Sequence, residues 1–283
     1  IKQGTMKAQT LLGMPLVICR DCEGGLAALQ DLCPHRAMPL SFGCFDGQRI
    51  ECSYHGWQFD MKGTCRHIPS LIKGAALDPK KIGITAYPCR DQDGYVWVYV
   101  PDRNGMPKPM PDVPRLPVLS QSYSLVHIST ILNCTIDNGV IGLMDPAHGP
   151  FVHESVWWHR RDNIHEKAKI FEPIQNGFRM KASNSSHNTG PYKLLGFSGP
   201  IATTIDFILP SHRLELIQAG QWWVSTMATV TPISQEECRI DFCAAWNVLR
   251  WLPFSKGLFR IFARIFINQD KRVMERQSVG MKH

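Results

Sequence analysis

Residues 33 to 57 read CPHRAMPLSFGCFDGQRIECSYHGW, and no other stretch constrains this chain as tightly. Cys33 and His35 are separated by one residue, Cys52 and His55 by two, and 16 residues lie between the pairs. Thiolates and imidazoles in this combination are metal donors, for a structural zinc or for an iron–sulfur group. Zinc knuckles space their ligands by about two to four residues, so a one-residue gap suits a single small ion poorly. A two-iron cluster shares the donors between two metals. Each loop can then give its Cys to one iron and its His to the other.

The remaining cysteines carry no comparable signal. Ten in 283 residues are too few for a disulfide scaffold, so a reducing, cytoplasmic setting is expected. Cys19 and Cys22 form a C-x2-C pair, but Glu23-Gly24-Gly25 follows where a redox motif needs a helix. That pair reads as a strand running into a turn. Cys44, Cys65, Cys89, Cys134, Cys238 and Cys243 lack ligand-like spacing and read as small packed side chains.

Hydrophobic content of 44% and charged content of 19% belong to a globular chain. The formal charge of +7 permits an acidic partner or an anionic membrane surface and identifies neither. No apolar run reaches the length of about 18 residues that marks a membrane span. No signal-peptide pattern opens the sequence, which starts at Ile1 rather than at a Met.

Up to about residue 100 the pattern is one of short strands and turns. MPLVICR, a turn at EGG and LAALQDLC suggest a hairpin, and GYVWVYV (94–100) alternates as a strand does. Pro101, Pro107, Pro109, Pro111, Pro114 and Pro117 then exclude a helix or a central strand. The reading is a first domain over 1–105, a proline-rich linker over 106–117 and a second domain over 118–283. In the second, a long helix is expected around Asp137 to Val156, kinked at Pro150. Strands are expected at ATTIDFIL, QWWVSTMATVTP and CRIDFCAAWNV, and a helix from about Ser255 to Gln277.

A second donor set lies in GLMDPAHGPFVHESVWW, which contains Asp145, His148 and His153. His148 and His153 are five apart, about 140° around an ideal helix, and a kink at Pro150 would swing them together. Two His and a carboxylate on one side of a metal form the facial triad of non-haem Fe(II) sites, which leaves positions open for O2. His67, His127, His159, His165, His187 and His212 have no partner at ligand spacing and read as ordinary histidines.

Both segments resemble one family. C-x-H-x16-C-x2-H inside CPHR and SYHGW resembles the Rieske motif, and D-x2-H-x4-H resembles the iron motif of Rieske non-haem iron oxygenase α subunits. The resemblance implies an α+β fold: an N-terminal Rieske domain of small antiparallel sheets and a C-terminal helix-grip catalytic domain. It implies a Rieske [2Fe-2S] cluster on Cys33, His35, Cys52 and His55 and a mononuclear Fe(II) on His148 and His153. Asp145 is then an electron bridge rather than a ligand. The iron's carboxylate comes from a helix near the C-terminus, where Asp270 in INQDKRVMERQ matches best; Asp206, Asp241 and Asp162 compete. Many members carry Asn three or four residues before the bridging Asp, where this chain has Gly142 and Ile141, with Asn138 seven before.

The resemblance further implies a head-to-tail homotrimer with a path from His55 of one subunit to Asp145 and His148 of the next. No GxGxxG or flavin-binding pattern is present, so electrons are expected from a separate NAD(P)H-dependent reductase, directly or through a ferredoxin. The QDKRVME ending resembles steroid- and sterol-oxidising and demethylating members, and LMDPAHGPFVH resembles the chlorophyll-breakdown oxygenases. The expected substrate is a large apolar polycycle, a steroid, sterol or hopanoid, hydroxylated or demethylated with O2. Tetrapyrrole oxygenation and aromatic-ring dihydroxylation are the alternatives within the enzyme class. An electron carrier or lipid-binding protein with a vestigial second site is the alternative outside it. No nucleic-acid partner is expected. In SKGLFRIFARIFINQDKR, Lys256, Arg260 and Arg264 share one face. A core helix with a narrow wet stripe is the expectation there, with membrane contact as the competitor.

Overall fold

The computed structural model describes residues 1–101, 105, 110–145, 147–153, 169–181, 201–248 and 254–281. Two compact units are present, Ile1–Val113 and Pro114–His283.

The first unit is built from short antiparallel strands. β1 (Thr5–Leu11), β2 (Met14–Arg20) and β3 (Leu26–Gln30) pair in that order, and β8 (Ala86–Tyr87) completes the sheet beside β3. Leu12 and Gly13 join β1 to β2 with φ of 54° and 73°, the two-residue turn whose twist matches that of paired strands. β4 (Cys44–Phe45), β5 (Arg49–Glu51), β6 (Gln58–Asp60) and β7 (Cys65–His67) form a second sheet in chain order. β9 (Cys89–Gln92) and β10 (Tyr95–Val98) make a hairpin through Asp93-Gly94, again with both φ positive. β2, β3 and β10 are the strands predicted from MPLVICR, LAALQDLC and GYVWVYV. Val17, Leu29, Leu40, Ile50 and Phe59 are fully buried, and Cys33 and Cys52 belong to the same core.

Cys19 and Cys22 behave as a strand entering a turn: Cys19 is buried in β2, where burial pushes its thiol up to about 12, and Cys22 is exposed. Cys44 departs from the expectation of a packed side chain. It is exposed, because β4 is only two residues long and Phe45, not Cys44, packs against the core.

The second unit is a seven-stranded antiparallel sheet with helices. Its members are β11 (Ser124–Leu132), β12 (Phe171–Ile174), β13 (Gly177–Met180), β14 (Ala202–Ile208), β15 (His212–Ala219), β16 (Trp222–Pro232) and β17 (Cys238–Trp246). Their order is β11-β17-β16-β15-β14-β13-β12, so β12 to β17 run as a meander and β11 closes against the last strand. α1 (Ile136–Met144) and α2 (Gly149–Val152) follow β11, and α3 (Ser255–Gly280) follows β17. The core between sheet and helices joins Leu132, Val230 and Ile240 to Leu143 of α1 and to Ile267 and Met274 of α3. The small antiparallel sheets and the sheet-and-helix unit together make the expected α+β class.

Two local expectations are corrected. The single helix from Asp137 kinked at Pro150 is two helices, and residues 154–156 of that prediction lie outside the described residues. The break falls at Asp145, the residue before Pro146, whose backbone is extended (φ −66°, ψ 117°). A residue preceding proline is driven out of the helical region, so α1 must stop there. Pro150 instead sits in the first turn of α2, where its missing N–H has no partner to lose. The second correction concerns α3. Its core contacts are confined to one face, Ser255, Ala263, Ile267 and Met274, while Leu258, Ile261 and Ile265 are 60%, 59% and 55% exposed. One sheet covers one side of a helix, so an all-round apolar N-terminal half leaves an apolar stripe outside. No described helix is long and apolar enough to cross a membrane.

Candidate metal sites

In the first unit the two donor loops are built alike despite their different spacing. Cys33 N–H donates to Met38 O and Ala37 N–H to Cys33 O; Cys52 N–H donates to Trp57 O and Gly56 N–H to Cys52 O. The fifth residue of each loop is left-handed, Ala37 with φ 53° and Gly56 with φ 68°. Each loop therefore turns its cysteine inward and its histidine outward. Cys33 and Cys52 are both 2% exposed, whereas His35 and His55 lie at the surface with ring centroids 4.5 Å apart. Trp57 stacks on His35 at 4.8 Å, within 3° of parallel.

Burial pushes the Cys33 thiol up to about 11, and Cys52 beside it adds to the effect. A paired, buried thiol of this kind ionises when a cation is there to compensate it. The four donors do not converge on one point: among the described residues, the one group of three or more donors close enough for a single ion lies in the other unit. Two thiols on the inner side and two imidazoles on the outer side fit a two-metal group and argue against a single zinc.

That other group is His148, His153 and Asp270. His148 is the N-cap of α2 and His153 its C-cap, so a one-turn helix separates them and the ideal-helix angle does not apply. Asp270 reaches them from α3, where Ile267 and Met274, three before and four after, are both in the core and turn this line of the helix inward. Nε2 of His148 and Nε2 of His153 are 3.3 Å apart, and Asp270 Oδ1 lies 3.5 Å and 3.1 Å from them. Three ligands at right angles around an ion about 2.1 Å from each would be about 3.0 Å apart, so the donor atoms fit a facial site.

The competing carboxylates are engaged elsewhere. Asp206 accepts two bonds from Arg179 (2.6 and 2.8 Å), and Asp241 accepts one from Arg239 (2.8 Å). Asp162, like His159, His165 and His187, lies outside the described residues. Asp145 caps the C-terminus of α1. Its Oδ1 accepts the Ala147 N–H at 2.7 Å, and its Oδ2 faces His148 Nδ1 at 3.7 Å.

Sequence reasoning gave no role to Gln269 or Phe266, both of which contact the His153 ring. Asn138, noted in the sequence as seven before Asp145, is buried with its Nδ2 donating to Ser278 Oγ at 3.3 Å, tying α1 to α3. Gly142 faces Met274: a Cβ there would meet Met274 Cε.

Two family models match the chain. Residues 1–88 match the Rieske [2Fe-2S] domain, and residues 133–283, over half of the chain, match the vanillate O-demethylase oxygenase C-terminal domain. The chain belongs to the Rieske non-haem iron oxygenases. As such it carries the donors of a [2Fe-2S] cluster in one unit and of a non-haem iron in the other.

Chlorophyllide a oxygenase of Arabidopsis thaliana is 28% identical over 99% of this Rieske oxygenase chain and 50% of its own length. The Chlamydomonas reinhardtii protein of the same name is 32% identical over 95% of this chain and 40% of its own. The chain thus spans half or less of the length of these curated relatives. Apo dicamba monooxygenase shares the fold, with a TM-score of 0.75 at 22% identity, over 98% of this chain and 82% of that one. Two expectations change. Both chlorophyllide a oxygenases are chloroplastic, which overturns the cytoplasmic setting inferred from reduced cysteines: a thiol count does not separate one reducing compartment from another. The steroid or sterol substrate gains no support from these relatives.

Proposed function

We propose that this chain is the terminal oxygenase component of a Rieske system acting on a tetrapyrrole. Cys33, His35, Cys52 and His55 hold the [2Fe-2S] cluster, and His148, His153 and Asp270 hold the iron. The observation that carries this reading is the approach of two Nε2 atoms and one carboxylate oxygen to within 3.5 Å of one another. An electron carrier would have no use for that arrangement. When bound, the two groups supply one-electron storage and reductive activation of O2.

The chain's own side chains have distinct parts in this. His148 and His153 bring their Nε2 atoms within 3.3 Å of each other and would hold the iron with Asp270, a three-ligand set that leaves coordination positions for O2. Asp145 keeps a negative charge beside Nδ1 of His148, on the side away from Asp270. In a head-to-tail homotrimer it would take electrons from His55 of the preceding subunit. Electrons reach the first unit from a separate NAD(P)H-dependent reductase, directly or through a ferredoxin.

The tetrapyrrole substrate is supported by relatives named for chlorophyllide that align along 95–99% of the chain, and a chloroplast is the setting that goes with them. A second reading, O-demethylation of an aromatic ether, is favoured by the family matched over residues 133–283. One experiment separates the two. The protein, reconstituted with iron and reduced, is given 18O2 with chlorophyllide a or with vanillate. Label in the tetrapyrrole supports the first reading. Formaldehyde from vanillate with an unchanged tetrapyrrole replaces it by the second, and no oxidation of either removes both.

A further inference from the structure

His148 and His153 are held in different ways. Among the described residues, Nδ1 of His148 has no hydrogen-bond partner; the Asp145 carboxylate stands 3.7 Å away. Nδ1 of His153 lies 3.0 Å from Oε1 of Gln269, and Phe266 stacks on the same ring at 3.6 Å, within 12° of parallel. Phe266, Gln269 and Asp270 are three and four residues apart on α3, so one helix face supplies a stacking ring, an amide and a carboxylate to one imidazole. His153 is 4% exposed, so the amide holds its ring from inside the unit.

An imidazole binds a metal through the lone pair of one nitrogen, and its proton must then sit on the other. Nε2 of His153 faces Asp270 Oδ1 at 3.1 Å and His148 Nε2 at 3.3 Å, so it is the nitrogen turned to the donor cluster. An amide oxygen at Nδ1 accepts the proton there and keeps the Nε2 lone pair free. The outer partner of a metal-bound His commonly orients the ring and tunes its basicity, and its loss costs about 10–100-fold in metal affinity. A neutral amide does this without adding charge beside Asp270.

We propose that Gln269 is a positioning residue: its side-chain oxygen holds His153 in the Nδ1–H tautomer and so sets how tightly the iron is retained. This rests on the reading of His148, His153 and Asp270 as the ligands.

The test is Fe(II) affinity, measured by chelator competition on the full chain with its cluster intact. Gln269→Leu removes the acceptor at nearly constant volume, Gln269→Met is a second acceptor-free variant should the first fail to fold, and Gln269→Glu restores an acceptor. Affinity should fall about 10–100-fold in the Leu or Met variant and return to at least the parent value in Gln269→Glu, with the cluster's visible spectrum unchanged. Affinity within twofold of the parent in the acceptor-free variant overturns the proposal. So does an equal loss in the Glu variant, which would mean that packing rather than the acceptor matters. His153→Ala and Asp270→Ala are measured alongside. If they retain iron, the ligand reading has failed and the proposal with it; if they lose it while the acceptor-free variant does not, only the role of Gln269 falls.

Discussion

Asp145 and His148 lie on either side of the gap between two short helices, with Asp145 Oδ2 3.7 Å from His148 Nδ1. His148 presents its other nitrogen to Asp270 at 3.5 Å, so one imidazole stands between two carboxylates of opposite environment. The Asp145 side chain is 41% exposed and that of Asp270 14%. The less exposed carboxylate is the one that lies with the two Nε2 atoms, and the more exposed one is the bridge that the proposed electron path would use.

Asp145→Asn keeps the shape and the oxygen that accepts the Ala147 N–H, and removes only the charge beside His148. Both metal groups should load normally. Single-turnover oxidation of the reduced cluster should slow by about tenfold or more, because a carboxylate that orients a His is worth at least that much. Stopped-flow absorbance of the cluster reads this directly, and an unchanged rate with both groups loaded would remove Asp145 from the path.

Gly56 and Ala37 occupy equivalent places in the two cluster loops, and the same atom change should have opposite effects on them. Gly56→Ala adds a Cβ at φ 68°, where it would lie 2.9 Å from Pro69 Cγ, and should cost about 1–2 kcal/mol. Ala37→Gly removes a Cβ at φ 53° and should stabilise by about 0.5–1 kcal/mol. Thermal loss of the cluster's visible circular dichroism should shift down for the first and up for the second.

Two glycines of α1 differ in what they face. A Cβ on Gly139 would lie 2.9 Å from Val230 Cγ1 and 3.0 Å from Cys238 Sγ, both in the packed core. Overpacking of that kind costs about 1–3 kcal/mol, more than the ~1 kcal/mol that Ala gains over Gly in a helix. At Gly142 the first obstacle is the terminal methyl of Met274, which can move. Gly139→Ala should lower the chemical unfolding midpoint, and Gly142→Ala should leave it within error or raise it.

His212, half-buried on β15, has its imidazole pushed down by burial to about 4 from an ordinary 6.5. The folded protein therefore keeps it neutral where the unfolded chain takes up a proton. Its contribution is fully present above about pH 6.5, declines as pH falls towards 4 and is lost below that. The total is at most about 3 kcal/mol. His212→Gln should flatten the fall in unfolding free energy between pH 7 and pH 4.5 relative to the parent; parallel curves would show that His212 does not contribute.

The chain's local patterns were readable because their physics is local. The cluster loops keep their donors within one stretch of 25 residues, and strand alternation, Gly-containing turns and proline spacing act between near neighbours. Even there, one helix kinked at Pro150 was expected where the helix breaks at Asp145, although Pro146 held the signal: it excludes Asp145 from the helix. The donors beside the His pair are another matter. Asp206 and Asp241 had equal claims to Asp270 as residue types; the sheet gave each of them an Arg neighbour, and α3 turned Asp270 inward between Ile267 and Met274. Gln269 lies 116 residues from the ring it supports and matches no spacing rule. Residue type and spacing determine which atoms are able to bind a metal. Which of them meet depends on strand register and on how α3 rotates against one sheet, and those are set by the packing of the whole core.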